Sequence, residues 1–192
     1  AFSANALDDE LDANIVASPR KYERQRPDAE AVEAAVRLLA KAESPVIIVG
    51  DRVGQMDAMQ EAVRLAELTG ARVFASSYSE VNFPSSHPQY AGPIRLGWSD
   101  ALGMDTSPDV ALMVGKITDG YYMFSRPTLG FLPEGTKLVH LDTDPSGVGR
   151  TQPTDVGIVA DPKTAMAELA DALEADMSGS AREEAKDRQG KL

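Results

Sequence analysis

The chain has no cysteine and only two histidines, His87 and His140, in 192 residues. Disulfides and thiolate metal sites are excluded, and a reducing cytoplasm is the default expectation. A nucleophilic Ser or Thr would have only those two imidazoles as a base. Positive charge is also scarce: 19 basic residues face 30 acidic ones, a net charge of -11. That excludes nucleic acid, whose phosphates need a basic surface, and an anionic membrane surface. No apolar run approaches the length of a membrane span. Residues Ala1 to Ala6 lack a charged region followed by an apolar one, so no signal peptide is expected there. The chain also does not start with Met, which points to a piece excised from something longer.

The phosphate-binding motifs are missing too. A dinucleotide fingerprint needs Gly-x-Gly-x-x-Gly after the first strand, so that backbone can approach a pyrophosphate. Here that place reads Gly50-Asp51-Arg52-Val53-Gly54. An arginine replaces the middle glycine. The second strand should end in an acidic residue for a ribose, but ends Ala75-Ser76-Ser77. No Walker lysine motif occurs.

What is present is a string of short apolar runs. The most telling is Lys137-Leu138-Val139-His140-Leu141-Asp142-Thr143-Asp144-Pro145. It reads as a buried strand of a parallel sheet, stopped by a proline that cannot extend it. Ligands of open α/β sheets bind beyond strand carboxyl ends, which is where Asp142 and Asp144 fall. Two carboxylates alone are too few for a metal site. His140, inside the apolar run, reads as a core histidine. His87, in Ser85-Ser86-His87-Pro88, reads as a side chain that bonds its own loop. Gly115-Lys116 offers a donor and a cation after another strand, with a solvated lysine turn as the plainer reading. Tyr121, Tyr122 and Phe124 are equally compatible with core and with an interface.

The remaining elements follow from pattern. Residues 1–26 read as a polar linker that packs only locally. Asp28 caps a first helix whose stripe is Val32, Ala35, Val36 and Leu39. Pro45 to Gly50 is a strand. Met56, Met59, Val63 and Ala66 mark a second helix, closed by Gly70. Residues 71–75, 109–115, 137–144 and 156–160 are further strands, with one more possible near 88–94. Residues 76–100 otherwise form a long loop. Asp161-Pro162 opens a last helix through Met166, Leu169, Ala170 and Leu173. Residues 176–192 read as a charged, structureless linker. The expectation is an α/β fold, a Rossmann-like doubly wound parallel sheet of five or six strands with helices on both faces. Its domain spans residues 27–175.

In order and spacing, several segments resemble the central domain of thiamine-diphosphate-dependent enzymes such as acetolactate synthase and benzoylformate decarboxylase. They are Leu38 to Gly50, Ala62 to Ala71, His87 to Gly92, Pro108 to Gly115, Leu138 to Pro145, and Asp161 with its helix. Phe83-Pro84-Ser85-Ser86-His87-Pro88 and Gly115-Lys116-Ile117-Thr118-Asp119-Gly120-Tyr121 look more like the benzoylformate decarboxylase branch. The acetolactate synthase branch carries Gly-Ala-Arg after this strand, and only Gly115 of it is present. The resemblance implies a parent 2-oxo acid decarboxylase or carboligase, a homodimer or homotetramer. Its thiamine diphosphate and Mg²⁺ would be held by flanking domains of the same polypeptide, outside this chain, which would be a scaffold without catalysis of its own. In relatives that bind FAD or ADP, the matching groove positions are Gly50, Arg52, Gly115, Lys116, Asp142 and Asp161. The alternative is a Rossmann-like binding module for FAD, ADP or NADP.

Overall fold

The protein was analysed as a computed structural model that describes residues 24–75, 80–93, 108–115, 132–150 and 153–190, besides residues 12, 14, 16 and 17. Six parallel strands form one sheet: β1 (Pro45–Val49), β2 (Arg72–Ala75), β3 (Tyr90–Pro93), β4 (Val110–Val114), β5 (Lys137–Asp142) and β6 (Val156–Val159). Their order is β3-β2-β1-β4-β5-β6. The fold is therefore α/β and Rossmann-like, with the optional strand near residue 90 present as an edge strand. β1 and β4 are buried at every position. Both faces of these strands are covered, which explains their unbroken apolar sequences.

Among the described residues, five helices accompany the sheet: α1 (Ala29–Leu39), the short α2 (Arg52–Gln55), α3 (Met59–Thr69), α4 (Pro162–Asp176) and α5 (Gly179–Gln189). The larger core lies on one sheet face. There Ile47, Val49, Leu112, Val114, Val139 and Leu141 meet Leu39 of α1, Leu65 of α3, and Met166 and Leu169 of α4. Each fully buried aliphatic side chain contributes roughly 1.5–3 kcal/mol by leaving water. On the other face Val46, Ile48, Phe74, Ala111, Met113 and Leu138 form a second buried cluster, joined by the half-buried Leu132.

Helix ends obey local chemistry. The Asp28 carboxylate accepts the Glu30 N–H at 2.8 Å and starts α1. Gly70 closes α3 with φ +66°, a left-handed conformation that glycine adopts without a Cβ penalty. Pro162 stands at the start of α4, with Asp161 as its cap.

Three expectations need correction. The buried stripe of α3 is Ala62, Leu65, Ala66 and Thr69, whereas Met56 ends α2 and Met59 is only half-buried. Asp57 separates the two helices with φ +54°. Lys163 of α4 holds that turn, donating to the Asp57 carbonyl at 2.6 Å and to its carboxylate at 2.7 Å. Secondly, the segment expected to be structureless after residue 176 contains α5. Ser178 caps it, accepting the Ala181 N–H at 3.2 Å, and Ala185 packs against Gly70. Arg188 donates to the Thr69 carbonyl at 2.9 Å and Gln189 to the Glu67 carbonyl, so α5 covers the open carbonyls at the end of α3. Thirdly, the first linker does not pack only locally at its end. The Gln25 carbonyl accepts the Asp161 N–H at 2.9 Å, and Arg26 pairs with Glu168 at 2.7 Å.

Candidate functional site: the crevice at the strand carboxyl ends

In this strand order the crevice for a ligand lies where the direction of winding reverses, between β1 and β4. Four of the six positions expected to line it meet there. Gly50 follows β1, Arg52 opens α2, Gly115 follows β4, and Asp142 ends β5. Asp161 lies after β6 and serves another purpose. Its carboxylate accepts the Thr164 N–H at 3.0 Å and the Thr164 hydroxyl at 3.2 Å, which caps α4. Lys116 lies outside the described residues, as do Tyr121, Tyr122 and Phe124.

Arg52 crosses from β1 over β4 to β5. Its Nε stands 3.5 Å from Asp142 Oδ1. The Asp142 side chain is 2% exposed and the Arg52 side chain 36%, so a buried carboxylate is met by a half-exposed cation. The same Oδ1 accepts the Asp144 N–H at 3.1 Å and the Thr143 hydroxyl at 3.3 Å. The outer nitrogen Nη1 of Arg52 donates to Gln55 at 3.0 Å, which fixes the direction of the side chain.

Gly115 makes that crossing possible. A Cβ at this position would stand 2.8 Å from Arg52 Cβ and 2.9 Å from Cγ, well inside contact distance. Its φ of +80° also favours glycine. The glycine thus serves a close approach, but of a protein side chain.

The backbone donors are spent as well. The Gly50 N–H donates to the Val114 carbonyl at 2.8 Å, and the Gly115 N–H to the Leu141 carbonyl at 2.7 Å. A pyrophosphate needs free N–H groups pointing at it. At the two glycines matched to the groove, those groups are committed to the sheet.

The histidines behave largely as the residues suggest. His87 Nδ1 accepts the Gln89 N–H at 3.3 Å, and its ring meets Phe83 edge-on at 5.2 Å between centroids. Its loop is thereby bonded to itself. His140 is buried, and its Nδ1 accepts the Gly149 N–H at 3.3 Å. Among the described residues, no group of three or more His, Asp or Glu could hold a metal ion.

Sequence reasoning missed several polar ties. Gln89 is buried and donates to the Ala66 and Ala71 carbonyls at 2.6 and 2.7 Å. Asn82 accepts the Gly54 N–H at 3.0 Å and joins its loop to α2. Asp109 accepts the Glu43 and Ser44 N–H groups at 2.7 and 2.9 Å, and Asp155 accepts the Leu138 N–H at 2.9 Å. The two aspartates tie neighbouring strand entrances together at the amino edge of the sheet. Both directly precede a strand, the one signal in the sequence that could have marked them.

The family "Thiamine pyrophosphate enzyme, central domain" matches residues 32–169. This chain belongs to that family. It is 33% identical over 152 residues to a sulfoacetaldehyde acetyltransferase of Castellaniella defragrans, covering 79% of this chain and 25% of the relative. It is also 33% identical over 152 residues to an acetolactate synthase of Mycobacterium avium, covering 79% and 24%. Among solved structures, a thiamine diphosphate-dependent 4-hydroxybenzoylformate decarboxylase of Rhodococcus jostii RHA1 superposes with a TM-score of 0.68 at 26% identity, over 83% of this chain and 30% of that one. A benzoylformate decarboxylase of Polynucleobacter necessarius shares the fold at the same TM-score and 23% identity, over 84% and 30%. Both branches named from the sequence thus occur among its relatives, and the acetyltransferases are a third. The chain spans about a quarter of the length of the curated relatives it matches. A nucleotide-binding module is not the favoured reading of this central domain.

Thiamine diphosphate dependence is a property of the family. The described residues do not fit that cofactor. Gly50-Asp51 is followed by Arg52, which is engaged with Asp142, and no metal-holding cluster occurs among the described residues.

Proposed function

We propose that this chain is the structural middle domain of a longer thiamine-diphosphate-dependent enzyme acting on 2-oxo acids, a decarboxylase or carboligase. In that enzyme, other domains of the polypeptide hold the cofactor and its Mg²⁺, and this domain sets their spacing. The names of the relatives support acyl transfer beside decarboxylation as candidate chemistry of the parent. The parent is cytoplasmic and a homodimer or homotetramer. The chain on its own performs no catalysis.

The observation that carries the scaffold reading is the Arg52–Asp142 bridge over Gly115. It lays one of the protein's own side chains across the crevice. Among the described residues at that place the Arg52 cation is paired with Asp142, so it is not free to recognise a phosphate. The positions Gly50, Arg52, Gly115, Lys116, Asp142 and Asp161 are, on this proposal, a groove inherited by descent and closed by packing.

The coding sequence on either side tests the proposal. A preceding α/β domain with a glutamate for the thiazolium ring, and a following Gly-Asp-Gly with a later Asn, are expected. Flanks that encode neither would overturn it.

A further inference from the structure

His140 is the only charged or titratable residue inside the β5 run, between Leu138 and Asp142. It is 4% exposed, and its Nε2 makes no hydrogen bond among the described residues. Its Nδ1 accepts the Gly149 N–H at 3.3 Å. An imidazole nitrogen that accepts must be unprotonated, so the ring is neutral with its proton on Nε2.

The bond holds a segment in place. Residues 143–150 leave β5 and turn back over the sheet. Val148 packs over Gly157 of β6, where a Cβ would stand 2.8 Å from Val148 Cγ1. Gly157 pairs with His140 across the strands. His140 and Gly157 together therefore seat the returning turn, one by a hydrogen bond and one by leaving room for a valine. Gly149 itself has φ +71°, a conformation suited to glycine.

We infer that His140 is an acid-sensitive latch for the turn 145–150. Protonation places a second N–H on the ring, facing the Gly149 N–H. Two donors then meet where a donor and an acceptor met before. The turn must lift off for the imidazolium to be hydrated. The charged groups bearing on the ring among the described residues are Asp142 of β5 and, through it, Arg52 of α2. From β4 it meets the Gly115 backbone. Burial lowers the His140 pKa, and the Asp142 charge and Gly115 backbone oppose this only in part.

The sign follows from linkage. The latched state holds the ring neutral and the open state lets it titrate near its ordinary value. The latch is therefore complete above about pH 6.5 and weakens as the pH falls below it. Between the open and latched pKa values, opening gains about tenfold per pH unit.

Amide hydrogen exchange of Gly149, read by NMR on this chain from pH 7.5 to 5, tests the inference. The protection factor, corrected for intrinsic exchange, is expected to fall as the pH drops below about 6.5, by up to about tenfold per unit. In His140→Gln, which keeps an acceptor but cannot titrate, it should not change with pH. Should that variant fail to fold, ¹⁵N shifts of the His140 ring in the unsubstituted protein give its tautomer and titration directly. A protection factor unchanged down to pH 5, or a ring protonated on Nδ1 at pH 7.5, overturns the latch.

Discussion

Substituting Gly115 with Ala tests the claim that this glycine exists to let Arg52 cross the crevice. Two costs are expected. The backbone sits at φ +80°, where an L-residue carries roughly 1–2 kcal/mol of strain. The new methyl also overlaps Arg52, at 2.8 Å from Cβ and 2.9 Å from Cγ. Forcing a methyl into packed space costs typically about 1–3 kcal/mol. The total is roughly 2–5 kcal/mol, a large share of the stability of an ordinary domain. Urea unfolding would read it as a midpoint lowered by about 1–2 M at unchanged slope.

The decisive arm is a double-mutant cycle with Arg52→Gly. Alone, that change leaves the buried Asp142 carboxylate, among the described residues, with the Asp144 N–H and the Thr143 hydroxyl, a loss of about 1–2 kcal/mol. In its background, Gly115→Ala should cost little beyond the strain, because glycine removes both overlapping atoms, Cβ and Cγ. The two substitutions should therefore couple by at least about 1 kcal/mol. A Gly115→Ala cost below about 0.5 kcal/mol, or the same cost with and without Arg52, would refute the reasoning.

Other outcomes follow from the same contacts. Gly70→Ala puts a Cβ into the Ala185 carbonyl at a left-handed position, so α5 should detach and residues 179–189 should become cleavable by trypsin without global unfolding. Arg188→Ala should weaken the same docking by about 1–2 kcal/mol, through loss of the bonds to the Thr69 carbonyl. At Asp155, burial works to raise the pKa, but the Lys137 ammonium and the Leu138 N–H outweigh it and hold the carboxyl below its usual range. A depressed acid contributes stability above its unfolded pKa that is lost as the pH falls through the folded value. Asp155→Ala should therefore cost about 1–2 kcal/mol at pH 7, with the gap to the unsubstituted protein closing below about pH 3.9 in chemical denaturation.

The strands were legible in the sequence for a physical reason. Central parallel strands are covered on both sides, so Pro45–Val49 and Val110–Val114 are written as unbroken apolar runs. The caps at Asp28, Gly70 and Asp161 were legible because each depends on its immediate neighbours. Helix α5 was not, since it buries only Ala185, and its docking rests on backbone carbonyls of α3 that leave no trace in composition. The stripe of α3 was misread because Asp57 breaks the helical run between Met56 and Met59. The crevice was half legible. Gly50, Arg52, Gly115 and Asp142 were grouped through the resemblance to nucleotide-binding relatives, which also put Asp161 there, and that residue caps α4 instead. That Arg52 reaches Asp142 across Gly115 depends on three strands side by side, and no local pattern encodes it.

The most direct test of the closed crevice is isothermal titration of this chain with ADP and with FAD. With the Gly50 and Gly115 N–H groups committed to the sheet and Arg52 held by Asp142, no binding heat is expected at millimolar ligand. Saturable binding of either nucleotide in the micromolar range, abolished by Arg52→Ala, would contradict the account.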